Sequence, residues 1–396
     1  MSMRKIDDWH TAGLIDAETR ARIIAYEADH SRPLALWAVF GIGALTIGLG
    51  LISVVAANWE DIPRQLRLAI HLALIIAALS AVSLRERALA AAWPWASEAL
   101  LFVAAILGLT FFGHLGQVYQ TTSPLWKPLT TWLVLFAPLL LWKGRSWLIA
   151  ACIVSTSIYA AWEYNWAAHA LLRGDSPPAY SYLLSAFVTS LPLLFAPLGA
   201  ALRGSLAQRG AGRAGFWRRI EQLGLIYAVV GASFYCVLAS MGELQREAVF
   251  GSDGGHILRA VMAMIAGVLV ILARPGISGQ MSGAIIAGAG MTAALAFAFD
   301  GMDVLAALIF VALWAGIAAA ALYAGWRGVF QFAVAVIALR LIVLSFELAS
   351  DLLLSGFGLI LSGLMILVIA WVAVRVSREY APPSETLAEV TGEYAP

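Results

Sequence analysis

The sequence predicts an all-α fold: a polytopic transmembrane helix bundle of about twelve spans with a short N-terminal cytoplasmic helical segment. Three observations carry that expectation. Apolar residues come in runs of roughly 18 to 24, long enough to cross a hydrocarbon core about 30 Å thick. Charged residues make up only 12% of the 396-residue chain and hydrophobic residues 61%, with a mean hydropathy of +0.84; a soluble protein carries about a quarter charged residues. Basic residues, finally, are concentrated in alternate loops. A transmembrane barrel would instead show short segments of alternating polarity.

Residues 1–33 read as a cytoplasmic amphipathic cap. Ile6 and Trp9 share a face, Gly13 breaks the segment, and Asp16 is placed to cap a helix that ends before Pro33. That cap either packs as a lid on the bundle or docks a membrane or cytoplasmic protein partner through the same apolar stripe. It lacks the apolar h-region of a cleavable signal, so the first span is expected to act as the insertion signal.

The bundle covers residues 34–376. Its spans are expected near 34–57, 66–84, 98–119, 127–142, 146–163, 180–201, 220–241, 256–273, 278–299, 303–323, 328–348 and 354–375. Residues 113–127 have a second reading, as a re-entrant turn buried in protein. Trp59, Trp126, Trp142, Trp147, Trp162 and Trp166 fall at or near span ends, where an amphipathic indole suits the interface. Gly41, Gly43, Gly48 and Gly50 in the first span, and Gly279, Gly283, Gly288 and Gly290 in the ninth, predict close helix packing. No similarity relates the first six spans to the last six. Residues 377–396, polar and acidic with Pro382 and Pro383, read as a disordered cytoplasmic tail.

Across these spans eighteen Lys and Arg fall on one side and six on the other, with Arg340 alone in mid-span. The bias places both termini in the cytoplasm. The net charge of +1 argues against nucleic acid and against a polybasic lipid anchor. Cys152 and Cys236 both lie in apolar spans and form neither a disulfide framework nor a metal motif. No HExxH, Walker A, GxGxxG or GxSG pattern occurs, so no catalytic set and no cofactor is expected.

Polar side chains collect at the predicted outer ends of the spans. Asn58, Glu60 and Asp61 follow the first span, and His71 lies about a turn inside the second. His114, Gln117, Tyr119 and Gln120 close the third, and Glu347 ends the eleventh. Ionisable groups at membrane depth are expensive and so need partners, water or a function. These residues predict a polar cavity opening outward. His114 and Gln117, three apart, share a helix face; His114 suits a proton relay or, equally, an interhelical hydrogen bond. Arg340 serves either as a structural anchor or as a substrate or anion contact, and Glu347 lies roughly 10 Å further along the axis, too far for direct pairing. The acids at 60 and 61 sit in a loop too short for a metal site.

The Trp9…Gly13-Leu-Ile-Asp16 segment, the Ala57-Asn58-Trp59…Ile62-Pro63 turn and His114-Leu-Gly-Gln-Val-Tyr-Gln120 occur together in order. The chain thereby resembles domain-of-unknown-function family 2157, a group of bacterial multi-pass membrane proteins, most clearly over its first 140 or so residues. The resemblance implies a bacterial inner-membrane location and brings no activity or catalytic residue. The leading functional expectation is a transporter-like protein with an outward-facing polar site. A non-enzymatic envelope sensor or scaffold is the alternative, and an intramembrane enzyme on lipid-linked substrates the third.

Overall fold

The computed structural model describes residues 6, 9–30, 42, 46, 62–84, 96–171, 179–207, 213–244, 253–348 and 356–380. Among these residues every regular element is helical. The chain divides into two compact units, residues 1–69 and 70–396.

In the first unit, Gly13 takes a left-handed φ of 71° where the entry segment turns, and α1 (Ala17–His30) follows. Asp16 caps it: its Oδ1 accepts from the Thr19 backbone N–H at 2.7 Å, satisfying one of the orphan donors of the first turn. The expected first span lies outside the described residues apart from Ile42 and Thr46, both helical. Asn58, Glu60 and Asp61 also lie outside them. Pro63 immediately precedes α2 (Arg64–Leu84), and its carbonyl accepts from the Arg67 N–H. The Arg67 Nε donates back to the Ile62 carbonyl at 2.8 Å, tying down the entry to the helix.

From residue 70 onward the chain is a bundle. Its helices are α3 (Ala96–Tyr119), α4 (Trp126–Lys143), α5 (Trp147–Leu171), α6 (Ala179–Ser190) and α7 (Phe195–Ala207). They continue with α8 (Ala214–Met241), α9 (Asp253–Ala273), α10 (Ile277–Ala298), α11 (Asp303–Tyr323), α12 (Arg327–Leu348) and α13 (Gly356–Tyr380). Among the described residues eight segments are long and apolar enough to cross a membrane: α2, α3, the stretch 181–205, α8, α9, α10, α11 and α12. Each expected span after the first overlaps a helix, but α4, α5 and α13 are not among those eight, so the described residues support eight spans where the sequence predicts about twelve.

Three details differ from the sequence expectation. α5 runs to Leu171, eight residues beyond its expected end, because nothing between Trp162 and Leu171 breaks a helix. Residues 113–119 continue α3 without interruption, and the helix stops at Gln120, whose φ of 53° is left-handed. The Thr121 N–H then returns to the Gly116 carbonyl at 3.1 Å, a C-terminal capping bond. The sixth expected span changes its hydrogen-bond pattern midway: α6 passes through a 3₁₀ turn (Leu191–Leu194) into α7 with right-handed helical backbone on both sides. Pro192 and Pro197 each lack the N–H that an unbroken α-helix needs there.

Two hydrophobic cores hold this unit. One joins Val82 of α2, Leu101 and Ala105 of α3, Trp132 of α4, Ile153 of α5 and Ile220 of α8. The second is built from α7 through α12, with Ala196, Cys236, Ala266, Ile286, Phe310 and Ala333 among its buried members. α8 belongs to both. Small residues let the helices of the second core touch backbone to backbone, where dispersion contacts rather than apolar burial drive association in lipid. A Cβ on Gly267 of α9 would sit 2.6 Å from the Ala287 backbone N of α10, and one on Gly290 would lie 2.6 Å from the Ala260 carbonyl. Gly283 is equally crowded by α9, whereas Gly288 faces open space. The expected packing stripe is thus Gly283 and Gly290, seven apart on one face of α10.

Candidate functional site

Two polar centres stand out in the bundle. The first is the pair of histidines expected from the sequence. His71 projects from α2 toward α3, where its Nε2 lies 2.9 Å from the Leu107 carbonyl. A carbonyl only accepts, so that nitrogen carries the proton, and the Nδ1 of neutral His71 is an acceptor. His114 Nδ1 lies 3.3 Å away and therefore donates to it. The ring of Phe111 closes edge-on over His71 at 5.4 Å. Gln117, expected on the face of His114, is exposed, and its carbonyl accepts from the Gln120 amide at 2.8 Å. Tyr119 is 63% exposed. The four polar residues at the end of α3 do not converge: His114 turns to α2, and Gln120 caps the helix.

Arg340 of α12 is buried, 7% exposed, and lies within electrostatic reach of the Cys236 thiol on α8. Its surroundings belong to the second core, whereas the histidine pair sits beside the first. The side chain of Glu347 lies outside the described residues.

The second centre gathers around Arg259, near the start of α9. Its Nε donates to the Thr189 hydroxyl at 3.0 Å. One terminal nitrogen donates to the Tyr235 hydroxyl at 3.3 Å and the other to Asn165 Oδ1 at 3.3 Å. The guanidinium lies 5.6 Å over the ring of Trp162, a cation–π contact that strengthens away from water. Asn165, Ser185 and Thr189 are each no more than 1% exposed, and Ser185 also donates to Asn165 Oδ1. Tyr235, already accepting from Arg259, has its own proton left for His256 Nδ1, 3.1 Å away. The His256 ring stacks on Phe297 at 4.4 Å.

This centre is placed where α6 passes into the 3₁₀ turn. Thr189 is the penultimate residue of α6, and its carbonyl accepts from the Tyr227 hydroxyl at 2.6 Å. Trp162 donates to the same hydroxyl at 3.2 Å. One network thus unites α5, α6, α8 and α9 beside that turn. The available sequence signals were His256 and Arg259, three apart at the head of a span, and two prolines inside the sixth. Ending α5 at residue 163 left Asn165 in an expected loop and hid the third corner. The chemistry offered is hydrogen-bond donation from a planar, permanently charged fork, which suits carboxylate or phosphate oxygens. Among the described residues no three His, Cys, Asp or Glu side chains are placed to share a metal ion.

No curated protein and no solved structure matches the chain. The histidine pair, but not the Arg259 centre, lies within residues 7–149, which match the model of the family described as "Predicted membrane protein (DUF2157)", and over that stretch the resemblance read from the motifs of the first 140 residues is shown.

Proposed function

We propose that this membrane protein is transporter-like and passes a small polar solute by way of the Arg259 centre. The observation that carries the reading is the coincidence of a 3₁₀ turn within one span with a buried cation and its converging acceptors. A 3₁₀ turn beside two prolines marks a point where a helix can change shape, and transporters place solute sites at such irregularities in mid-membrane helices. A permanent charge with buried polar partners from three other helices is more than helix packing requires. The distribution of Lys and Arg supports an orientation with both termini in the cytoplasm, which would turn Arg259 and the histidine pair toward the outer face of a bacterial inner membrane. An oxygen-bearing anionic group on the solute would replace the 3.3 Å contacts to Tyr235 and Asn165.

Alternating access makes the test direct. Thr189→Cys is introduced in a Cys152→Ser/Cys236→Ser background and placed in vesicles of both orientations. Labelling by a membrane-impermeant maleimide is then measured from each face. Reaction from both faces is the expected result. A thiol inert to both reagents, in protein that is folded and fully inserted, would overturn the transport reading and leave a scaffold that binds a partner through residues 1–33.

A further inference from the structure

A cavity of about 660 Å³ opens between α8 and α12, away from the Arg259 centre. Arg203, Arg218 and Arg274 stand at one end of it together with Glu221. Glu221 is 3% exposed and pairs with both Arg274, at 2.8 Å, and Arg203, at 3.3 Å. One carboxylate among three guanidinium groups leaves a net of two positive charges. Arg218, one turn before Glu221, is exposed and has no acid against it among the described residues. The rest of the wall is apolar. Trp314 and Ile317 form its floor, and its rim is Ile226 and Val230 of α8 facing Val329 and Phe332 of α12. These four rim residues are 48%, 58%, 40% and 61% exposed, so the apolar part is open along the sides of two candidate spans. From Arg218 to Val230 the helix rises about 18 Å, close to the half-thickness of a roughly 30 Å hydrocarbon core.

We infer that this cavity is a specific site for an anionic phospholipid. The headgroup phosphate sits at Arg218, Arg203 and Arg274, and one acyl chain lies between α8 and α12. Charge complementarity selects the head, and the lateral apolar opening, continuous with the surface that meets lipid, selects a tailed ligand over a free ion. Arg203 and Arg274 are held in place by Glu221, so the cationic end exists before the ligand arrives, which lowers the ordering cost of binding. The inference is independent of the transport reading.

Native mass spectrometry of the detergent-solubilised full chain tests it. Phosphatidylglycerol and phosphatidylcholine of matched chains are added in turn, and inorganic phosphate and phosphatidylglycerol are compared separately by thermal shift. Phosphatidylglycerol is expected to be retained about tenfold better than phosphatidylcholine, as two net charges beside an anionic headgroup imply. Arg218→Gln, which removes no internal partner and leaves one net positive charge, should cut the preference to about threefold. Val230→Trp, on the exposed rim, should lower retention of both. Equal retention by the unaltered protein, or a preference indifferent to Arg218→Gln, overturns the site. Stabilisation by inorganic phosphate as large as that by phosphatidylglycerol overturns the lipid as its occupant.

Discussion

Asp16 shows how a single side chain can report on local structure. The Thr19 side chain and backbone N–H both hold its carboxyl below the ordinary value of 3.8. A depressed carboxyl contributes stability that is fully present above its unfolded value and is lost as pH falls through the folded one. Thr19 amide protection, corrected for intrinsic exchange, should therefore stay flat above pH 3.8 and fall below it. In Asp16→Asn, whose amide oxygen caps without titrating, the fall should disappear. The cap was legible because Asp before a helical run is a local signal. Arg259 was not: its partners at positions 165, 189 and 235 are separated by loops and whole helices, and no spacing rule connects them.

At the scale of the element, the end of α3 is the clearest case of polarity explained by structure. Gln120 occupies the left-handed position that terminates the helix, a conformation that costs a residue with a Cβ about 1 kcal/mol. Gln120→Gly should accordingly raise stability by about 1 kcal/mol in reversible denaturation. A loss of stability larger than that would mean the Gln120 side chain does more than bond the Gln117 carbonyl. The α9–α10 pair was legible in kind, since glycines at helical spacing mark close approach. Which glycines touch was not, because that depends on the rotation of α10: Gly283 and Gly290 meet α9, while Gly288 does not. Pro192 and Pro197 were visible in the sixth span, yet hydropathy averages over such residues and does not register a change of hydrogen-bond pattern.

At the scale of the molecule, Glu221 ties separate parts of the chain together. It joins α8 to Arg203 on α7 and to Arg274 just beyond α9. Breaking a buried pair by removing one partner leaves the others uncompensated. Glu221→Gln should lower stability by about 3 kcal/mol, measured as a shift in unfolding by a denaturing detergent. A shift under about 1 kcal/mol would place these ion pairs with the weak ones at protein surfaces.

The all-helical class, the positions of the helices expected after the first span and the membrane nature of the chain follow from composition and run length. Those properties are local, and crossing a hydrocarbon layer imposes the same length and apolarity on each segment whatever its neighbours. Partnership is different in kind. That His71 finds His114, that Gln117 does not join it, and that Arg259 gathers acceptors from three other helices depend on how helices are rotated and which of them touch. In a chain whose apolar faces all look alike, small residues and a few costly polar groups settle that choice through packing in three dimensions.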